Sequence, residues 1–222
     1  MWDGPDKIGD VLHEFALIVP VKPPTVGKSR LRGVDDEQRR ALAQAFALDT
    51  IAVCLDVGAA GVLVSTDDAT FSVRCSGLGC ATIPDGDTRD LNSALLQAAA
   101  DARRRWPDAA PVALCADLPA LTAGDLREAL GLVSPGAPAF VADADGTGTT
   151  LYTASYAGFD PRFGVGSRRA HLAAGATAIA GELPTLRRDV DDLDDLRAAI
   201  ALGVGPETTR LAHLGGDRSR LK

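Results

Sequence analysis

Phe15-Ala16-Leu17-Ile18-Val19-Pro20-Val21 runs seven residues without a polar side chain, and how it is read decides the fold. A strand with one wet face alternates polar and apolar residues, whereas one covered on both faces, as in a parallel sheet, loses that alternation. The run is therefore expected to be a buried first strand. Working outward, Asp35 and Asp36 precede residues 37–55, where Leu42, Ala45, Phe46, Ile51 and Cys54 recur at helical spacing. Acidic residues at the amino end of such a segment suit the helix dipole. Residues 61–65 (GVLVS) and 80–83 read as short strands, and residues 91–106 as a helix stopped by Pro107. Residues 112–116 (VALCA) make another buried strand, and Thr122 opens a helix to about 133, before the breakers Ser-Pro-Gly-Ala-Pro. Strands at 140–142 and 150–156 flank a Gly/Thr-rich loop. A further strand, 186–190, leads into a helix at 192–202 that ends at Gly203. Strands alternating with helices predict a three-layer α/β domain whose ligand crevice lies beyond the carboxyl ends of the parallel strands.

The 222 residues are 46% hydrophobic and 24% charged, which fits one globular domain. Its expected bounds are 15–214, with flexible tails at 1–14 and 215–222. Thirty acidic against 23 basic residues give a net charge of -7, which argues against a surface that tracks nucleic-acid phosphates and for a small-molecule partner. Cys54, Cys75, Cys80 and Cys115 lie in apolar runs without metal-ligand or disulfide spacing, and read as reduced core residues. The first residues are acidic where a signal peptide is basic, and no apolar stretch approaches the roughly 20 residues of a membrane span. The expectation is a cytoplasmic protein with no membrane contact.

Four segments could carry chemistry. The first follows the first strand, where Lys22, Lys28 and Arg30 surround Gly27 in a segment suited to phosphate. Its Gly-Lys-Ser is not a P-loop, because the required earlier glycine is Lys22; the alternative is an exposed basic loop. The second is Asp117-Leu118-Pro119, at the carboxyl end of a buried strand, where a carboxylate can hold a hard cation or simply form a turn. The third is Asp189-Val190-Asp191. In extended chain both carboxylates point to one side, although a helix-capping role, also open to Asp192 or Asp194, competes. The fourth pairs Gly146-Thr147-Gly148-Thr149-Thr150 with Phe163-Gly164-Val165-Gly166-Ser167, small and hydroxyl residues that allow close approach to an anion; the alternative is two ordinary loops. Ser167 could also open a helix. His13 and His213 fall near the ends, and His171 reads as a surface position on a basic helix. No serine, histidine and aspartate set assembles. That suits a phosphate nucleophile, which is already ionised at pH 7 and needs no general base.

Taken in order, these motifs, with Asp90-Leu91-Asn92-Ser93-Ala94-Leu95 between them, resemble the guanylyltransferases of coenzyme F420 biosynthesis, the CofC and FbiD family within the MobA-like nucleotidyltransferases. The likeness spans most of residues 15–214 and implies a Rossmann-like nucleotidyltransferase fold, α/β/α, with a mostly parallel central sheet. It further implies that Asp117 and Asp189 hold Mg²⁺, with Asp191 a further candidate ligand. Thr149, Gly164 and Ser167 would hold the acceptor acid, Asn92 would meet the nucleoside, and Lys22, Lys28 and Arg30 would contact the triphosphate. The implied substrates are GTP and phosphoenolpyruvate, with 2-phospho-L-lactate the close second, and a homodimer fits the family. The segment 22–28 has fewer glycines than related sugar and molybdopterin nucleotidyltransferases. Two rivals stand beside this reading: a transferase for another acceptor, such as the molybdenum cofactor or a sugar phosphate, and a catalytically silent nucleotide-binding domain.

Overall fold

A computed structural model describes residues 14–22, 34–86, 90–134 and 136–218. The first strand, β1 (Phe15–Pro20), lies in a seven-stranded sheet of order β3-β2-β1-β4-β6-β5-β7. Its companions are β2 (Gly61–Ser65), β3 (Ala81–Ile83), β4 (Ala110–Leu114), β5 (Ala139–Ala142), β6 (Thr149–Thr153) and β7 (Thr177–Ala178). β1 pairs parallel with β2 and β4, and β2 with β3. β6 alone runs antiparallel to its neighbours β4 and β5.

Phe15 to Val19 are all buried, as expected of a strand with no wet face. Phe15, Leu17 and Val19 enter one core, with Ile51, Phe71 and Leu126, while Ala16 and Ile18 enter a second, with Leu95, Ala98 and Phe140. The first core packs under α1 (Asp36–Asp56), α2 (Ala69–Gly77) and α4 (Ala123–Gly131), and the second under α3 (Leu91–Arg105). Helices on both faces of a mostly parallel sheet make the predicted three layers. Side chains set the helix starts: Asp35 accepts from Gln38 N, Asp90 from Ser93 N and Thr122 from Asp125 N.

The remaining helices are α5 (Ser167–Ala173), α6 (Pro184–Arg187), α7 (Leu193–Leu202) and α8 (Pro206–Arg218). α8 reaches into the segment 215–222 that was expected to be a tail; the other expected tail, 1–14, falls outside the described residues except for Glu14. The start of α8 is tied to α1 by Asp49, whose buried carboxylate accepts from Glu207 N (3.0 Å) and Thr208 N (2.9 Å). No helix among the described residues is long and apolar enough to cross a membrane. Cys54, Cys75 and Cys80 are buried free thiols, and burial pushes all three upward in pKa.

Two sequence expectations are corrected. Residues 186–190 form no strand; Pro184 starts a single helical turn, after which 188–192 runs on outside the sheet. His171 is wholly buried rather than on the surface of its helix. The helix at Ala69–Gly77 was not foreseen.

Candidate active site

The acidic cluster is assembled from two segments far apart in sequence. Asp117 follows β4, in a turn whose next residue, Leu118, is buried in the core. Thr50 of α1 braces that turn: its hydroxyl donates to Phe46 O (2.9 Å) and accepts from Leu118 N (3.2 Å). On the other side, Val190 is buried with Phe46 and Ala199, and its N–H donates to the carbonyl of Asp117 at 3.0 Å. With Val190 turned inward, Asp189 and Asp191 turn outward together, so the expected alternation holds although the strand does not. Asp192 caps α7 through a reciprocal capping box with Asp195, which leaves Asp189 and Asp191 out of that role.

One carboxylate oxygen each from Asp117, Asp189 and Asp191 lie within 4.8 Å of one another. Two unit charges at such a spacing repel by about 3 kcal/mol at an effective dielectric constant near 20. A cation among them reverses the sign of that contribution. Three carboxylate oxygens and no sulfur or imidazole form a hard donor set, which fits Mg²⁺ or a similar divalent ion.

Facing this cluster across a cleft of about 540 Å³ are Thr149, Gly164 and Ser167. Because β6 runs opposite to β4, its first residue, Thr149, sits at the same sheet edge as the last residues of β4, and Cys115 N donates to Thr150 O at 2.8 Å. The loop before β6 is folded around Asp143, whose carboxylate accepts from Thr147 N (2.9 Å) and Gly148 N (2.7 Å). A Cβ at Gly148 would lie 2.2 Å from that carboxylate, so any side chain there would push Asp143 off its two N–H donors. The second loop turns through Gly164 and Gly166, at φ 126° and 70°, before α5. Ser167 N donates to Gly164 O (3.0 Å), and Arg168 N donates to Thr147 O (3.2 Å), which joins the two loops.

Asn92, in the first turn of α3, uses its side-chain amide on this second loop. It donates to Phe163 O (3.0 Å) and accepts from Phe163 N (2.8 Å), which commits one of its two N–H donors. Lys22 follows β1 near Asp90. Hydrogen bonds from the Ser93 amide and hydroxyl hold the Asp90 carboxyl below its usual range, with a lesser contribution from the Lys22 charge. Lys28 and Arg30 lie outside the described residues.

The cleft thus gathers Asp117, Asp189, Asp191, Thr149, Gly164 and Ser167, all named from sequence. Sequence reasoning missed Thr50, Asp143 and His171. Asp143 had a readable signal in Asp-Ala-Asp-Gly-Thr-Gly, a carboxylate ahead of a tight glycine turn; Thr50 had none, since a threonine in an apolar helix looks like filler.

Comparison with known proteins bears on the family and the fold. The family model "Guanylyl transferase CofC like" matches residues 15–206. A phosphoenolpyruvate guanylyltransferase of Thermomonospora curvata is 47% identical over 201 residues, covering 89% of this chain and 88% of its own. One from Geodermatophilus obscurus is 43% identical over 212 residues, covering 92% and 96%. Among solved structures, a nucleotidyl transferase from Methanothermobacter superposes with TM-score 0.55 at 17% identity, covering 85% of this chain and 97% of that one. A Mycobacterium tuberculosis H37Rv protein in complex with manganese gives TM-score 0.55 at 18%, covering 85% and 98%. These distant structures share the fold alone. With the family match running from the first strand to the start of the last helix, and relatives above 40% identity across about nine-tenths of its length, the chain belongs to the CofC-like guanylyl transferases.

Proposed function

We propose that the protein transfers the guanylyl group of GTP to the phosphate of phosphoenolpyruvate, forming enolpyruvoyl-2-diphospho-5'-guanosine and pyrophosphate in coenzyme F420 biosynthesis. With 2-phospho-L-lactate as acceptor the product would be lactyl-2-diphospho-5'-guanosine. One observation carries the reading: the three-carboxylate cluster and the hydroxyl- and glycine-lined pocket share one cleft, so a donor set able to hold a divalent ion faces a pocket suited to a small anion.

In this reading the acceptor's carboxylate and phosphate are taken by Thr149, the main chain at Gly164, and Ser167. Lys22, Lys28 and Arg30 contact the triphosphate, and Asn92 holds the acceptor loop beside the nucleoside. Asp117 and Asp189 hold Mg²⁺, with Asp191 beside them. The bound ion supplies charge neutralisation between two phosphates that otherwise repel. An oxygen of the acceptor phosphate attacks the α-phosphorus in line; the new P–O bond forms as the bond to pyrophosphate breaks. The nucleophile is already ionised at pH 7, so the residues of the cleft need to align and neutralise rather than remove a proton. The cationic side chains stabilise the departing pyrophosphate.

The test offers GTP, Mg²⁺ and the two acids in competition and reads the products by mass spectrometry, with pyrophosphate release as the rate. The enolpyruvoyl product is expected to dominate. A chain that releases no pyrophosphate with either acid would overturn the assignment.

A further inference from the structure

His171 is the one fully buried ionisable ring among the described residues that meets the acceptor pocket, and the mechanism above gives it no part. Both of its nitrogens are engaged. Nε2 accepts the Arg162 N–H at 3.0 Å, and Nδ1 lies 3.1 Å from Thr149 Oγ1. The ring is stacked on Tyr152 (centroids 4.6 Å) and Phe140 (5.5 Å), with the edge contact of Phe163 at 5.7 Å. It therefore touches the strand that carries Thr149, the loop that leads to Gly164, and the helix that opens at Ser167.

The pattern of donors fixes the protons. Burial, aided by the Arg162 charge and opposed by the Ser167 carbonyl and Asp160, lowers the pKa of His171 to about 4. The neutral ring prevails at pH 7, and a neutral imidazole with Nε2 as acceptor carries its proton on Nδ1. Nδ1–H then has two acceptors, Thr149 Oγ1 and the Ser167 carbonyl, and whichever it favours a protonated Nδ1 cannot accept a hydrogen bond from the threonine. The threonine's own proton is left for another partner.

We propose that His171 is a positioning residue for the acceptor: as the Nδ1–H tautomer it directs the Thr149 hydroxyl proton into the cleft, where it donates to the bound acid. The inference rests on the reading that Thr149 belongs to the acceptor pocket. A residue needed only for packing would be served as well by phenylalanine, which keeps the stack and loses both hydrogen bonds.

The experiment uses the full chain, with phosphoenolpyruvate as the varied acid, in His171→Phe, His171→Asn, His171→Gln, Thr149→Val and the double variant Thr149→Val/His171→Phe. Asparagine returns an N–H donor near the Nδ1 position, and glutamine places its amide near Nε2. His171→Phe is expected to raise the acid's KM by about tenfold or more, the size of one hydrogen bond to a charged group. The KM for GTP should stay within about twofold, His171→Asn should recover most of the loss, and the double variant should be no worse than Thr149→Val to within about twofold. The inference is overturned if both KM values rise together, if asparagine is as poor as phenylalanine, or if the two single effects multiply. Should His171→Phe lose its cooperative melting transition, the comparison of asparagine with glutamine decides, and equal performance overturns the inference. An unchanged KM in Thr149→Val overturns the acceptor-site reading itself and the inference with it. An impaired Thr149→Val beside an unaffected His171→Phe overturns the inference alone.

Discussion

Asp117→Asn removes one charge from the carboxylate cluster and keeps the shape of the turn. At saturating Mg²⁺ its turnover is expected to fall by about 10²-fold or more, the scale found when one electrostatic group is taken from a transition state. Pyrophosphate release measures it, and near-normal turnover would place the cation elsewhere. A second prediction concerns acid. His171 has a folded-state pKa of about 4, below its ordinary 6.5, so the unfolded chain binds more protons between those values. The stability that goes with the neutral ring is present above pH 6.5 and drains away as pH falls toward 4. Urea midpoints at pH 7, 5.5 and 4.5 should drop more steeply in the parent than in His171→Asn, which cannot titrate. These two residues also mark what a sequence can disclose. Asp117 could be singled out because it ends a buried apolar run, although a turn-forming role fitted the sequence as well, and only the fold brings it beside Asp189 and Asp191. His171 could not be, because Arg168 and Arg169 beside it suggest solvent, while the rings that bury it, Phe140, Tyr152 and Phe163, arrive from other segments.

Among the elements, long or strongly patterned segments were readable and short ones were not. The helix Asp36–Asp56 declares itself over five turns, whereas Ala69–Gly77 buries only Phe71 and Cys75, a single i, i+4 pair that could belong to a loop. Residues 186–190 misled for a related reason. Leu186 and Val190 are both buried, but the first lies within a helical turn and the second in chain without regular structure, and the pattern cannot tell the two apart. α1 also does more than cover the sheet, since Thr50 braces the turn that carries Asp117. Thr50→Val keeps the volume and leaves the buried Leu118 N–H without its acceptor, which costs about 1–3 kcal/mol. Urea unfolding should register that loss, and the Mg²⁺ concentration for half-maximal rate should rise as the turn loosens. A valine variant with unchanged Mg²⁺ dependence would make Thr50 a purely packing residue.

For the whole molecule, the reversal of one strand matters most. Had β6 run parallel to β4, Thr149 would start at the opposite sheet edge from Asp117, and the two halves of the cleft would not meet. Sequence pattern does not encode strand direction; the family resemblance implied a mostly parallel sheet, and neither could say which strand departs. The main-chain bond from Val190 to Asp117 has a consequence of its own, because it bridges segments more than 70 positions apart at the point where the carboxylates converge. An ion held by both segments would lock that bridge shut. Deuterium should therefore enter the Val190 amide, and those of the turn after β4, more slowly with Mg²⁺ than with chelator, while the far strands β2 and β3 exchange at the same pace in both. The chain beyond β7 would then be a clasp, fastened to the sheet by the same event that readies the cleft for its reactants.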